Sequence, residues 1–191
     1  FGVAPATVRE ALADLRERRL VTTQRGRRGG SFVTLDDADR VAAVEGRILA
    51  LSSAELADLG VHAVAIAGTG AALAAEEASG FEAEELARDL AGIDFDDELA
   101  ARRGIGGLHL QVVALSRSVR LVREQVRFQH ADGPLLWASL HDADERALAR
   151  AGAEGLVDAI RDGDAAGARA RLEAACDQAV RWLLEAKRRL A

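Results

Sequence analysis

The sequence predicts a mostly α-helical chain in two parts, a short helix-and-hairpin unit at the front and an all-helical antiparallel bundle behind it. Three observations predict this. Apolar residues recur at helical spacing through most of the 191 residues. Two short β-prone runs flank a glycine-rich basic turn between residues 20 and 35. The charge then changes sign. Seven of the 25 basic residues (Arg9, Arg16, Arg18, Arg19, Arg25, Arg27 and Arg28) but only three of the 31 acidic ones (Glu10, Asp14 and Glu17) lie in residues 1–35. The net charge of −6 thus conceals a basic front on an acidic body, a pattern that directs a polyanion to the front alone.

The front reads as a helix over 5–18. Val8, Ala11, Leu12 and Leu15 recur at i, i+3, i+4 and i+7, Pro5 suits the first helical position, and Gly2 suits a turn before it. Arg9 and Arg16 lie off the apolar stripe. The runs 20–25 and 31–35 then form a hairpin around Gly26-Arg27-Arg28-Gly29-Gly30. Asp36, Asp37 and Asp39 follow at once, which places the domain boundary between residues 35 and 36.

Behind it, helices are expected over 37–51, with Val41, Val44, Ile48 and Leu51 inside, and over 53–79, capped by Ser53 ahead of Glu55. Others follow over 81–93, 96–116, 117–130, 134–140, 144–162 and 164–190. Val119, Val122 and Val126 make the apolar face of the helix over 117–130, and Leu172, Cys176, Ala179 and Leu183 that of the last. Six or seven antiparallel helices make one bundle.

Composition excludes several classes. With 49% hydrophobic and 29% charged residues the chain is ordinary globular material. It holds no Met, so it reads as a fragment with something N-terminal to Phe1. The single Cys176 excludes an intrachain disulfide and fits a reducing, cytoplasmic setting. No apolar run of about 18 residues is read, so no membrane partner is expected. There is no nucleophile elbow, phosphate-binding glycine loop or His-Glu-x-x-His, and an enzyme is not expected.

The residues Phe1-Gly2-Val3, Val8-Arg9-Glu10-Ala11-Leu12, Leu20-Val21 and the Gly26…Gly29-Gly30…Phe32-Val33 hairpin resemble the winged helix-turn-helix DNA-binding domain of the GntR family of regulators. The body, through Leu108-His109, Val113–Ser116 and Leu156–Asp164, resembles the FadR-like effector domain (FCD). The resemblance implies domains over 1–35, truncated by two N-terminal helices, and over 36–191. It implies a ligand-responsive repressor that binds an inverted-repeat operator in double-stranded DNA as a homodimer. Thr7, Arg9 and Arg16 would then contact the major groove, Arg27 and Arg28 the backbone or minor groove, with Gly29 and Gly30 allowing close approach.

Departures from the pattern sharpen this. Ala4-Pro5-Ala6 stands where the family has Ser-Arg-Thr, so base readout there does not carry over. Of the four metal ligands of many relatives only His109 remains; Ile105 takes the Asp position, and the later histidines fall near Ala153 and Ala175. An arginine of the second effector-domain helix is replaced at Ala63 or Val64. No cofactor is expected, and His62, Ile66, Ile105, His109 and Val112 are expected to line an effector pocket of low polarity. Two alternatives stand beside this reading: a helical small-molecule sensor that does not bind DNA, and a metal-dependent helical enzyme around His109. Asp94, Asp96, Asp97 and Glu98 suit a helix start at the positive end of its dipole better than a calcium loop.

Overall fold

The computed structural model describes residues 5–17, 21–24, 26, 29–33 and 37–191. Its contacts divide the chain into two units, Phe1–Gly46 and Arg47–Ala191.

In the first unit, α1 (Pro5–Glu17) is followed by an antiparallel pair, β1 (Val21–Gln24) and β2 (Gly30–Val33). The register sets Val21 opposite Val33 and Gln24 opposite Gly30. Leu12 and Leu15 are half-buried on α1, as the stripe predicts, whereas Val8 and Ala11 are exposed. Two glycines shape the turn. Gly26 has φ +124°, which L side chains rarely adopt, and Gly29 donates its N–H to the Gly26 carbonyl at 2.8 Å. A Cβ on Gly29 would strike the Gln24 carbonyl oxygen, so that position needs glycine for room.

The division between units falls inside α2 (Asp37–Ala50), eleven residues beyond the boundary the charge reversal marks. The cause is visible at the helix's end. Ile48 is fully buried, Arg47 donates to the Ala131 carbonyl and the Asp132 carboxylate at 3.0 Å each, and Lys187 donates to the carbonyls of Ile48 and Leu49. The second unit therefore begins at Arg47, while Val41, expected inside, is exposed.

The body is helical throughout. Helix α3 (Ser53–Ala63) runs through a π-helical turn (Val64–Gly68) into α4 (Thr69–Glu77). Then come α5 (Gly80–Ala91), α6 (Glu98–Leu115), α7 (Val119–Ala131), the short α8 (Gly133–Leu136), a 3-10 turn (Trp137–His141), α9 (Ala143–Arg161) and α10 (Ala165–Leu190). Local chemistry sets the starts. The first cap is Ser52 and not Ser53, because a capping box needs its Glu three residues on: Ser52 N–H donates to Glu55 Oε2 at 2.7 Å and Glu55 N–H to Ser52 Oγ at 3.2 Å. Ser79 and Glu82 repeat the device at α5, and Asp97, Ser118, Asp142 and Asp164 cap α6, α7, α9 and α10.

Within Ser53–Glu77, a run of 25 residues, an 18-residue window has a mean hydropathy of 1.5, enough to cross a membrane by length and composition, contrary to the sequence expectation. Half of it is buried inside the body, where it packs as the central helix against α10 and α6. Small residues let neighbours come close: a Cβ on Gly60 would stand 2.6 Å from Val180 on α10, and one on Gly70 2.7 Å from Val113 on α6. The buried stripe of α10 contains the four residues the sequence picks out, Leu172, Cys176, Ala179 and Leu183, flanked by Ala168 and Ala186.

Helix α7 is turned relative to expectation. Val119 and Val126 are 64% and 49% exposed, and the inward residues are Phe128 and Gln125. A phenyl ring removes more apolar area from water than a valine, so Phe128 takes the core position and carries Gln125, one turn away, inside with it.

Candidate functional site

Two places carry chemistry, one in each unit. In the first, Arg9 is exposed on α1 and has no partner among the described residues. Arg16, also exposed, donates from Nε to Thr23 Oγ1 at 2.9 Å, and the Thr23 and Ser31 hydroxyls meet at 3.2 Å. Arg16 thus links α1 to β1. Thr7 lies on α1, Gly29 just precedes β2 and Gly30 opens it; Arg27 and Arg28 lie outside the described residues. Gly29 is shaped by its own turn, while a Cβ on Gly30 would make only ordinary contact with the Phe32 ring.

In the second unit the predicted pocket residues part company. Ile66, Ile105 and Val112 are all buried in one core cluster. His109 is buried beside them with its ring edge-on to Trp137, centroids 4.8 Å apart, and burial pushes its pKa down to about 4, so it is neutral near pH 7. His62 does not belong with them. It is exposed, and its ring meets the edge of Phe128 at 5.4 Å. The register of α3 puts Gly60 and Ala63 inward and leaves His62 on the outer face.

Among the described residues no three His, Cys, Asp or Glu side chains converge as a metal site would need. Ile105, Ala153 and Ala175 offer no side-chain donor atom to a metal. Cys176 is 1% exposed and its thiol is pushed up to about 12 by burial and by neighbouring Asp177 and Glu173, so it is an inert core group. Asp97 caps α6 and Glu98 pairs with Arg102 and His141, which gives the acidic cluster a structural part.

Of the five predicted pocket residues, Ile105 opens onto a cavity of about 120 Å³ between α6, the 3-10 turn, α9 and α10. Trp137, Leu140 and Ala179 continue its apolar wall. The sequence reading missed its polar side: Ser139, the Glu145–Gln178 pair (Nε2 to Oε2, 2.8 Å) and Arg171. The available signal was Gly152 and Gly155, three apart on α9 where small residues open space for a neighbouring helix. A larger, more open cavity of about 370 Å³ lies between α5 and α9, floored by Leu90, Ile93, Phe95 and Val157. Its arginines, Arg150 and Arg161, are both paired with acids.

The comparisons bear first on the class of fold. A solved structure of Lar, described as controlling expression of the Listeria monocytogenes agr system and mediating virulence, matches with a TM-score of 0.55 at 14% identity, over 97% of this chain and 82% of that one. That likeness places the chain in the same fold class. In sequence, the chain is 35% identical over 159 residues to a protein of Mycobacterium gastri named "Putative HTH-type transcriptional regulator RmpR". The match takes in 82% of this chain, and the chain spans 57% of that relative's length. No protein-family model matches the chain.

Proposed function

We propose that this chain is the greater part of a DNA-binding transcriptional regulator of the GntR family's FadR-like kind, a cytoplasmic, non-enzymatic repressor that binds an inverted-repeat operator as a homodimer. The observation that carries this is the 35% identity to a helix-turn-helix-type regulator across most of the chain. The first unit adds physical support. An exposed Arg9 on α1 and an arginine-bearing loop between β1 and β2 give phosphate and groove contacts to a chain that is otherwise acidic. The helical body receives a small-molecule effector with a low-polarity body at the Ile105 cavity, backed by Ile66, His109 and Val112. Binding there shifts the balance between DNA-competent and DNA-incompetent arrangements of the dimer.

The test is capture of source-genome fragments by the full-length gene product, with the bound DNA sequenced. A shared short inverted repeat is the expected result. Recovery of fragments at random, with no common site, contradicts the reading and leaves a helical sensor as the better account.

A further inference from the structure

We propose that the cavity between α5 and α9 is a second ligand site, separate from the Ile105 cavity, and that it takes a small free amine with an apolar body. The proposal goes beyond the effector reading above and does not rest on it.

Helix α9 lies between the two cavities and gives each a different face. Leu148, Ala149 and Gly152 line the Ile105 cavity, whereas Glu154, Val157 and Asp158 line the other. At about 3.6 residues per turn these two sets lie on opposite sides of the helix. A molecule in the outer cavity therefore touches none of the residues on which α9 meets the inner one.

The floor is apolar and set by the core. Leu90 and Val157 are 7% and 2% exposed, and Ala87, Ile93 and Phe95 pack against the same core cluster. The volume of about 370 Å³ falls within the range of small-molecule sites, which begin at roughly 300 Å³. A hydrocarbon or aryl body laid on this floor displaces water from it, which is favourable.

The rim decides the charge. Arg150 Nε donates to Glu154 Oε1 at 3.0 Å, and its guanidinium stands 6.0 Å from the centroid of the Phe95 ring. Arg161 donates from Nε to Glu84 Oε1 at 3.1 Å and from Nη1 to Asp158 Oδ1 at 2.7 Å. Both guanidiniums are thus committed to the protein's own acids, and three carboxylates stand against two guanidiniums. Glu154 and Asp158 are one turn apart on α9. Each gives one oxygen to an arginine, and the other, Glu154 Oε2 and Asp158 Oδ2, has no hydrogen bond among the described residues. An anion entering here would have to pull an arginine away from its acid. An ammonium group meets two free carboxylate oxygens and a local excess of negative charge, while its apolar part lies on Leu90 and Val157.

The test is calorimetric titration of the full-length protein with phenethylamine, the neutral 2-phenylethanol and the anionic 3-phenylpropanoate. One saturable amine site per chain is expected, about three- to fivefold tighter than the alcohol, the discrimination that a solvent-touched ion pair supplies. The anion should bind weakest. Glu154→Gln combined with Asp158→Asn releases Arg150 and loosens Arg161, and should reverse the order so that the anion binds tighter than the amine. Ala91→Leu, at an exposed position on the cavity wall, should abolish binding of all three with the thermal melt preserved. Gly152→Leu fills the Ile105 cavity instead and should leave amine binding as it was. Equal affinity for amine and alcohol overturns the proposal, as does an order that survives the double substitution. Amine binding lost in Gly152→Leu but kept in Ala91→Leu overturns it too, and so does no binding of any of the three.

Discussion

The two units differ in how they hold several of their arginines. In the body, arginine after arginine is matched by an acid: Arg47 with Asp132, Arg102 with Glu98, Arg117 with Glu82, Arg127 with Glu124 and Arg169 with Glu173. On α1, Arg9 has no partner among the described residues and Arg16 is held by a neutral threonine hydroxyl. The units differ in core as well. Val21 is the buried hydrophobic side chain among the described residues of the first unit, whereas the body buries one contiguous cluster from Ala63 to Ala179. The lesson is one of division of labour. Stability resides in the body, and the charge left unneutralised on the front is free to meet a polyanion.

The comparison breaks most visibly at the core. Leu172→Ala removes a fully buried side chain from α10 and should cost about 2–5 kcal/mol in urea unfolding. Leu15→Ala, on the half-buried face of α1, should cost about 1 kcal/mol or less. Equal losses would mean that the front is as strongly packed as the body.

The second effect is pH. His109 titrates near its ordinary value of about 6.5 in the unfolded chain and at about 4 in the fold. Its neutral burial is therefore fully compatible with folding above pH 6.5. As pH falls from there toward 4, the unfolded state binds a proton that the folded state refuses, and stability drops by up to about 1.4 kcal/mol per pH unit. Thermal melts at pH 7 and pH 5 should show this, and His109→Leu should lessen the acid sensitivity. A melting difference unaltered by that substitution would assign the sensitivity to other groups.

A smaller effect is expected at the α5 cap. Ser79 Oγ accepts from the Glu82 N–H, and the Ser79 N–H donates to the Glu82 carboxylate, which with Arg117 holds that group down at about 2. Ser79→Ala should lower stability by about 1 kcal/mol. Smallest of all is the stability change for Arg9→Ala, within about 0.5 kcal/mol. The same substitution should weaken operator binding and make its dependence on log salt shallower by about one unit. That contrast, little stability and much affinity, is what an unpaired front charge requires.

Local chemistry was legible in the sequence where it was self-contained. The α10 stripe follows from spacing alone, and the helix starts follow from Ser and Asp caps. The hairpin turn follows from Gly26, whose left-handed backbone is written in the residue type. What escaped depends on partners distant in the chain. Val119, Val122 and Val126 satisfy a periodic pattern as well as Leu121, Gln125 and Phe128 do, and only the presence of His62 and the core decides which face turns inward. The second unit's start at Arg47 depends on Ala131, Asp132 and Lys187, all far along the sequence. Of the candidate site, the exposure of Arg9 and the burial of Ile105 were legible. Arg171 was not, because its place on the cavity wall depends on the glycines of the facing helix.

The most direct test of the central claim is made on the operator itself. Operator affinity of the full-length protein and of its Arg9→Ala variant is measured across a salt series. The account predicts binding that weakens steeply as salt rises, with weaker binding and a shallower slope in the variant. Binding that is insensitive to salt, or identical in the two proteins, would contradict it.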